Sequence, residues 1–253
     1  MSSQRLSSWE SIEGVILDKD GTLVDFYPTW TPLYLCALEA LSAAFSCPLS
    51  NLLTVSGFSP RGERLASDSP LVHATPDTIL ALWASALEQD SIEPLRPVVD
   101  RVFAEHYLFS LVPPGDLPAL FGKLSKQELR LALVTSDSTR YAEGAVAALG
   151  ISRWVSPVIG SDAGFPPKPS AAMAIECLKQ WRLEPHQVAV IGDHPRDLQM
   201  GRALGAGRVV GVLSGSSRED ELAPWCDEVW SSLMNLEFLA ELKLKKTRRG
   251  SRV

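Results

Sequence analysis

Residues 14–22 read Gly14-Val15-Ile16-Leu17-Asp18-Lys19-Asp20-Gly21-Thr22. A short apolar run that ends on charged and turn-forming residues is the pattern of a strand buried on both faces. Four more such runs follow, at Leu131–Thr135, Val155–Gly160, Val188–Gly192 and Arg208–Leu213. Helical stretches lie between them at Ser138–Leu149, Ser170–Trp181 and Asp197–Leu204, and Gly150 and Gly205 stand where two of these should stop. Strands alternating with helices predict an α/β fold, a doubly wound parallel sheet covered on both faces.

The alternation breaks once, between the first run and the second. Tyr34–Phe45, Thr78–Leu87 and Pro97–Phe109 read as helices apolar on one side, and Thr75-Pro76-Asp77 starts the middle one. A crossover needs about a dozen residues, so a gap this long predicts an inserted helical domain. Its expected span is 25–112, leaving 1–24 and 113–253 as the α/β core, with Val112-Pro113-Pro114-Gly115 as the return hinge. Ser56–Pro70 is polar and punctuated and reads as a loop of the insert. Apolar residues at 233, 236, 239 and 242 predict a last amphipathic helix over Leu233–Leu244.

Composition narrows the class. Hydrophobic residues make up 45% and charged residues 21% of the 253, which suits a soluble chain with a sizeable core and excludes a disordered or collagen-like one. The net charge of −6 is unevenly spread: residues 241–253 carry +5, leaving −11 on the first 240. So acidic a body predicts no nucleic-acid partner, since phosphate backbones need clustered Lys and Arg. The start of the chain has no apolar signal segment, and no run reaches the roughly 18 apolar residues of a membrane helix. Cys36, Cys47, Cys177 and Cys226 fit neither a zinc site nor a compact disulfide framework. A cytoplasmic protein without membrane association is expected.

Parallel sheets bind ligands where strand carboxyl ends converge. Reading across those ends gives Asp18, Asp20, Gly21 and Thr22, then Thr135 and Ser136, then Lys168 between prolines, then Asp193, His194 and Asp197. Two acids one residue apart can divide labour, one attacking phosphorus and the other moving a proton. Gly21 lets backbone N–H groups approach phosphate oxygens, and Thr hydroxyls add neutral hydrogen bonds. Lys168 supplies a fixed positive charge. Asp18 and Asp193 offer the hard oxygen ligands that Mg²⁺ prefers, with Asp197 either supporting them or capping a helix. Lys19, between the two acids, either adds positive potential or points away from the pocket. Arg61, Arg64 and His73 in the insert could meet the far end of a substrate.

The set Asp18-Lys19-Asp20-Gly21-Thr22, Leu131–Thr135, Lys168 in Pro-Pro-Lys-Pro-Ser, and Gly192–Asp197 resembles the four motifs of the haloacid-dehalogenase-like hydrolases. The chain looks most like their phosphoglycolate-phosphatase-like group, in which a helical cap is inserted between the first two motifs. The resemblance implies Asp18 as nucleophile forming an aspartyl-phosphate and Asp20 as general acid and base. It further implies Thr135 and Lys168 at the phosphoryl group, with Gly21, Thr22 and Ser136 also binding phosphate. Mg²⁺ would sit on Asp18, the Asp20 carbonyl and Asp193, with Asp197 behind them. The expected activity is hydrolysis of a small phosphorylated metabolite. A sugar-phosphate mutase uses the same core, and a phospho-accepting signalling module shares the Asp, Thr and Lys but lacks the insert.

Overall fold

The computed structural model describes residues 9–59, 65–66 and 68–242. Six strands form one parallel sheet: β1 (Gly14–Leu17), β2 (Arg130–Val134), β3 (Val155–Ile159), β4 (Val188–Gly192), β5 (Arg208–Val212) and β6 (Glu228–Trp230), in the order β3-β2-β1-β4-β5-β6. The helices of the insert are α1 (Phe26–Phe45), α2 (Leu49–Val55), α3 (Pro70–His73), α4 (Pro76–Ala86) and α5 (Arg96–Ser110). Those of the sheet are α6 (Leu117–Ser125), α7 (Thr139–Ala148), α8 (Ala172–Trp181), α9 (Pro195–Leu204) and the single turn α10 (Glu219–Leu222). No helix among the described residues is long and apolar enough to cross a membrane.

The apolar runs are continuous because both sheet faces are covered, and their side chains alternate between the faces. Val15, Leu17, Leu131, Leu133, Ala189 and Ile191 join Leu120, Phe121 and Leu124 of α6 and Val146 of α7 in one core layer. Ile16, Ala132, Val134, Val188 and Val190 pack in another with Met173, Cys177 and Trp181 of α8 and Met200 of α9. Each fully buried aliphatic side chain contributes about 1.5–3 kcal/mol. Helix starts are set by side chains: Asp116 accepts from the Ala119 N–H to open α6, and Ser138 accepts from the Tyr141 N–H to open α7.

Register brings the strand ends level. Leu17 pairs with Leu133 on one side and Ile191 on the other. The next residues along the three strands are therefore Asp18, Val134 then Thr135, and Gly192 then Asp193. The strand order reverses direction between β1 and β4, and that switch point opens a crevice beyond the strand ends.

The chain divides into two compact units, Met1–Phe26 with Pro113–Val253, and Tyr27–Val112. The second has its own core, built on Leu33, Leu38 and Leu41 of α1, Leu52 of α2, Trp83 of α4 and Val99 of α5. Within its 56–70 stretch the described residues make specific contacts. Phe58 and Leu65 are buried and bridge in antiparallel fashion. The Trp83 indole N–H donates to Ser56 Oγ at 2.9 Å, and the Ser69 hydroxyl donates to the Ser56 carbonyl at 2.6 Å. The ends of this unit are tied where the Val112 N–H donates to Thr29 Oγ1 at 3.1 Å.

Helices α2, α3, α6 and α10 were not expected, and three further elements differ from the expectation. α1 begins eight residues before Tyr34, at Phe26, because Pro28 falls within its first turn, where no N–H is needed. β6 is an added edge strand of three residues, too short to show periodicity. The last helix opens as a 3₁₀ turn at Leu233–Leu236 before becoming α-helical at 237–242, and its expected end at Leu244 lies outside the described residues.

Candidate active site

The backbone after β1 turns sharply around one carbonyl. The N–H groups of Thr22, Leu23 and Val24 all converge on the Lys19 oxygen, at 3.3, 2.8 and 3.2 Å. Gly21 makes the turn possible with φ +76°, and a Cβ there would fall 2.5 Å from the Asp193 carboxylate. Gly215, after β5, closes in from the other side: its Cβ would lie 1.9 Å from Asp193 Oδ2. Two backbone segments without side chains thus wrap the Asp193 carboxyl group.

Lys168 is the hub of the site. Its Nζ donates to Asp18 Oδ1 at 2.5 Å and to Asp197 Oδ1 at 2.6 Å, and its side chain is 2% exposed. Burial works against that charge, yet the two carboxylates outweigh it and hold the ammonium above its ordinary pKa. Carboxylate oxygens of Asp18, Asp193 and Asp197 lie within 4.8 Å of one another. Three acids, two of them buried, around one lysine leave excess negative charge. Asp18 is accordingly pushed up from 3.8 to about 7, by burial first and then by Asp197, against the pull of Lys168. Asp193 is raised well above its usual range by burial, then by Asp18 and Asp197, with the Ser216 N–H opposing.

The acids are not equivalent. Both oxygens of Asp197 are held by protein donors, Oδ1 by Lys168 and Oδ2 by the His194 N–H at 3.1 Å. Asp18 is engaged through Oδ1, and Asp193 through Oδ2, which accepts from the Ser216 N–H at 3.0 Å. Hard oxygen donors, mutual repulsion and close spacing fit a small divalent cation such as Mg²⁺, with Asp18 and Asp193 better placed to ligate it than Asp197. Asp197 is also the third residue of α9, where it reciprocates with His194 at the helix start, as the capping reading expects. His194 Nδ1 accepts the Arg196 N–H at 3.2 Å.

Thr135 is buried, and its Oγ1 accepts the Asp137 N–H at 3.1 Å. Ser136 is exposed, and Asp20 is partly exposed. Thr22 is fully buried, with its hydroxyl unpartnered among the described residues. The Lys19 side chain is fully buried, and its Nζ lies 2.7 Å from Asp20 Oδ2 and 3.2 Å from Asp137 Oδ2. His73 ends α3 in the second unit, whereas Arg61 and Arg64 lie outside the described residues. The second unit has a cavity of about 1010 Å³, bounded by Tyr27, Thr31 and Pro32 of α1 and by Phe58, Leu65 and Asp68.

The sequence reading passed over Asp137 and the Ser214–Ser216 loop. The run of small residues after β5, at yet another strand end, was the available signal for the loop. Its Ser214 hydroxyl donates to the Gly21 carbonyl at 2.7 Å and its Ser216 holds Asp193, so it braces both sides of the crevice.

A 3-2-1-4-5-6 parallel sheet with lysine-bridged carboxylates at its switch point defines a doubly wound α/β enzyme. The chain belongs to the haloacid dehalogenase-like hydrolases, whose family model matches residues 12–205. It is 25% identical over 218 residues to the N-acetylmuramic acid 6-phosphate phosphatase of Pseudomonas aeruginosa, covering 86% of this chain and 89% of that one. It is 28% identical over 211 residues to the phosphoglycolate phosphatase of Escherichia coli O157:H7, covering 79% and 81%. The crystal structure of a HAD-family hydrolase from Deinococcus radiodurans R1 with bound phosphate and sodium has the same fold, with a TM-score of 0.68 and 18% identity over 92% of this chain and 97% of that one.

Proposed function

We propose that the protein is a Mg²⁺-dependent phosphatase that hydrolyses a small phosphorylated metabolite through an aspartyl-phosphate on Asp18. The carrying observation is the Lys168 bridge between Asp18 and Asp197 beside Asp193, in a site that is short of positive charge. The relatives, phosphatases of phosphoglycolate and of an amino-sugar acid phosphate, support a small monoester as substrate.

In this reading an Asp18 oxygen attacks phosphorus as the ester P–O bond breaks. Asp20 gives its proton to the departing alcohol oxygen. It then takes a proton from the water that attacks phosphorus, which frees Asp18 and releases phosphate. Lys168 keeps Asp18 ionised and offsets charge on the phosphoryl oxygens, and Asp197 holds Lys168 in place. Thr135, Ser136 and Gly21 contribute phosphate contacts, whereas the expectation for Thr22 is corrected: it is fully buried and its N–H is spent on the Lys19 carbonyl, so it offers no surface to the ester. Asp18, the Asp20 carbonyl and Asp193 would hold Mg²⁺, which when bound supplies positive charge to the phosphoryl oxygens. The insert, with His73 and Arg61, is assigned the choice among esters as a cap. A cytoplasmic setting suits such a metabolite and the four free cysteines.

The test is a panel of phosphorylated metabolites, with phosphoglycolate and N-acetylmuramic acid 6-phosphate included, ranked by kcat/KM with Mg²⁺ and with EDTA. Release of free phosphate is expected, lost in EDTA and in Asp18→Asn. An isomeric phosphate ester as product would replace the phosphatase reading with a mutase, and Mg²⁺-dependent turnover by Asp18→Asn would remove the nucleophile assignment.

A further inference from the structure

We propose that Lys19, anchored by Asp137, is the positioning residue that holds the Asp20 carboxyl group in line with the ester's departing oxygen. The proposal rests on the reading of Asp20 as proton donor. Lys19 itself has no exposed side-chain surface and so cannot touch a substrate. Whatever it does for the reaction, it does through its partners.

Its ammonium sits against both oxygens of Asp20, 2.9 Å from Oδ1 and 2.7 Å from Oδ2. A contact to both oxygens fixes the rotation of the carboxyl plane, which a single hydrogen bond would leave open. The other partner, Asp137 at 3.2 Å, comes from the turn after β2 and is pinned there three ways. Its N–H donates to Thr135 Oγ1 at 3.1 Å, its Oδ1 accepts the Ser138 N–H at 2.8 Å, and its carbonyl accepts the Ser161 N–H at 2.8 Å. The Lys19 carbonyl is likewise fixed by the three N–H groups of the following turn. One buried cation thus ties the acid at the end of β1 to a rigid point at the end of β2.

Burying an ammonium is costly, and an apolar residue of the same length would fill this space at lower cost. The cost is intelligible if the gain is orientation. A general acid works only within hydrogen-bond reach of its target, and displacement by about 1 Å can cost about a hundredfold in rate. Asp20 and Asp137 are 26% and 30% exposed, so water can solvate both carboxylates once the lysine is gone. Lys19→Met should therefore fold while releasing Asp20 to other rotamers.

The experiment uses a series of esters of rising leaving-group basicity: 2,4-dinitrophenyl, 4-nitrophenyl, phenyl and alkyl phosphate. The constant kcat/KM reports the steps through alcohol release, the only ones in which Asp20 gives up its proton to the leaving group. Dinitrophenolate departs without that proton, and an alkoxide cannot. Lys19→Met is expected to steepen the fall of log kcat/KM with leaving-group basicity, with a loss of under about tenfold on the dinitrophenyl ester and about a hundredfold on the alkyl ester. Asp137→Asn should steepen it in the same sense by a smaller amount. Lines parallel to wild type in these variants would overturn the proposal, because a purely structural defect lowers every ester equally. If Lys19→Met does not fold, Asp137→Asn decides alone. Asp20→Asn is the control: if it too runs parallel to wild type, Asp20 is not the proton donor and both readings fall together. A steep Asp20→Asn line beside a parallel Lys19→Met line overturns the Lys19 role only.

Discussion

Replacing Asp18 with Asn should stabilise the metal-free protein, and more so as pH rises. Asp18 is raised from 3.8 to about 7 by burial, then by Asp197 and, more weakly, Asp20, while Lys168 opposes the shift. Such a group contributes its full share of stability below its unfolded pKa of 3.8 and loses it as pH rises through the folded value near 7. Across that window the folded state binds more protons than the unfolded one, so the free energy of unfolding falls with pH. The whole shift is worth about 4 kcal/mol at 1.36 kcal/mol per unit. Between pH 6 and pH 8 the Asp18 proton occupancy drops from about nine-tenths to about one-tenth, an integrated loss of about 1.4 kcal/mol. Starting at pH 6 keeps the chain, with its net charge of −6, clear of charge neutrality. The amide of the variant is neutral throughout and escapes the loss. Asp193 also faces Asp18 and Asp197, and it ionises more easily once position 18 is neutral, which widens the gap in the same direction. Urea unfolding of both proteins in EDTA at pH 6, 7 and 8 measures the difference. The stability of Asp18→Asn over wild type should widen by about 1–2 kcal/mol over that range. Saturating Mg²⁺ should reverse the trend, because bound cation favours the ionised carboxylates. A gap that stays constant or narrows with pH in EDTA would refute the account of Asp18 as a carboxyl held against its own charge.

Lys168→Met should destabilise the metal-free protein by about 3–5 kcal/mol at pH 8 and by less at pH 6, where Asp18 takes up a proton; urea midpoints at the two pH values check both. Gly215→Ala would put a Cβ 1.9 Å from Asp193 Oδ2 and must displace that carboxylate. Its affinity for Mg²⁺ by calorimetry should fall about tenfold or more, and an unchanged value would mean the loop yields without moving Asp193. Trp83→Ala removes a side chain that is 1% exposed together with its hydrogen bond to Ser56, and should cost about 3–5 kcal/mol in denaturant unfolding of the 27–112 unit.

What could be read ahead of the structure follows from how local each signal is. Strands β1 to β5 were legible because each is a short, mostly apolar stretch ending at a turn, and in β1 and β4 burial on both faces leaves no polar interruption at all. β6 was not, because three residues against the sheet edge carry no period. The start of α1 carries Pro28 and Pro32, residue types that punctuate helices, although the first lies where a helix tolerates it. Asp18, Lys168, Asp193 and Asp197 announced themselves by residue type at strand ends, and the structure brings those four together. Lys19 could not be read in the same way. A lysine between two acids does not show whether it is buried, and Asp137, a partner of its ammonium, arrives from a distant turn. That is tertiary information, and neither stretch carries it alone.

The placement of charge also changes how an anionic ester can be drawn into so acidic a protein. The sequence suggests that Lys168 offsets part of the site's acidity for the benefit of phosphate. In the structure its ammonium is already shared between Asp18 and Asp197, and that of Lys19 between Asp20 and Asp137. Each buried cation is engaged by two carboxylates, and at the Lys168 site Asp193 adds a third acid. Under the proposed reading, Lys168 therefore does more to keep Asp18 ionised and aimed than to attract the ester. In that reading, attraction falls to positive charge brought in with Mg²⁺, since the N–H groups that follow Gly21 are spent on the Lys19 carbonyl. Metal and ester then bind interdependently: the excess of carboxylate that gathers the cation is the same excess that would repel a phosphate arriving without it.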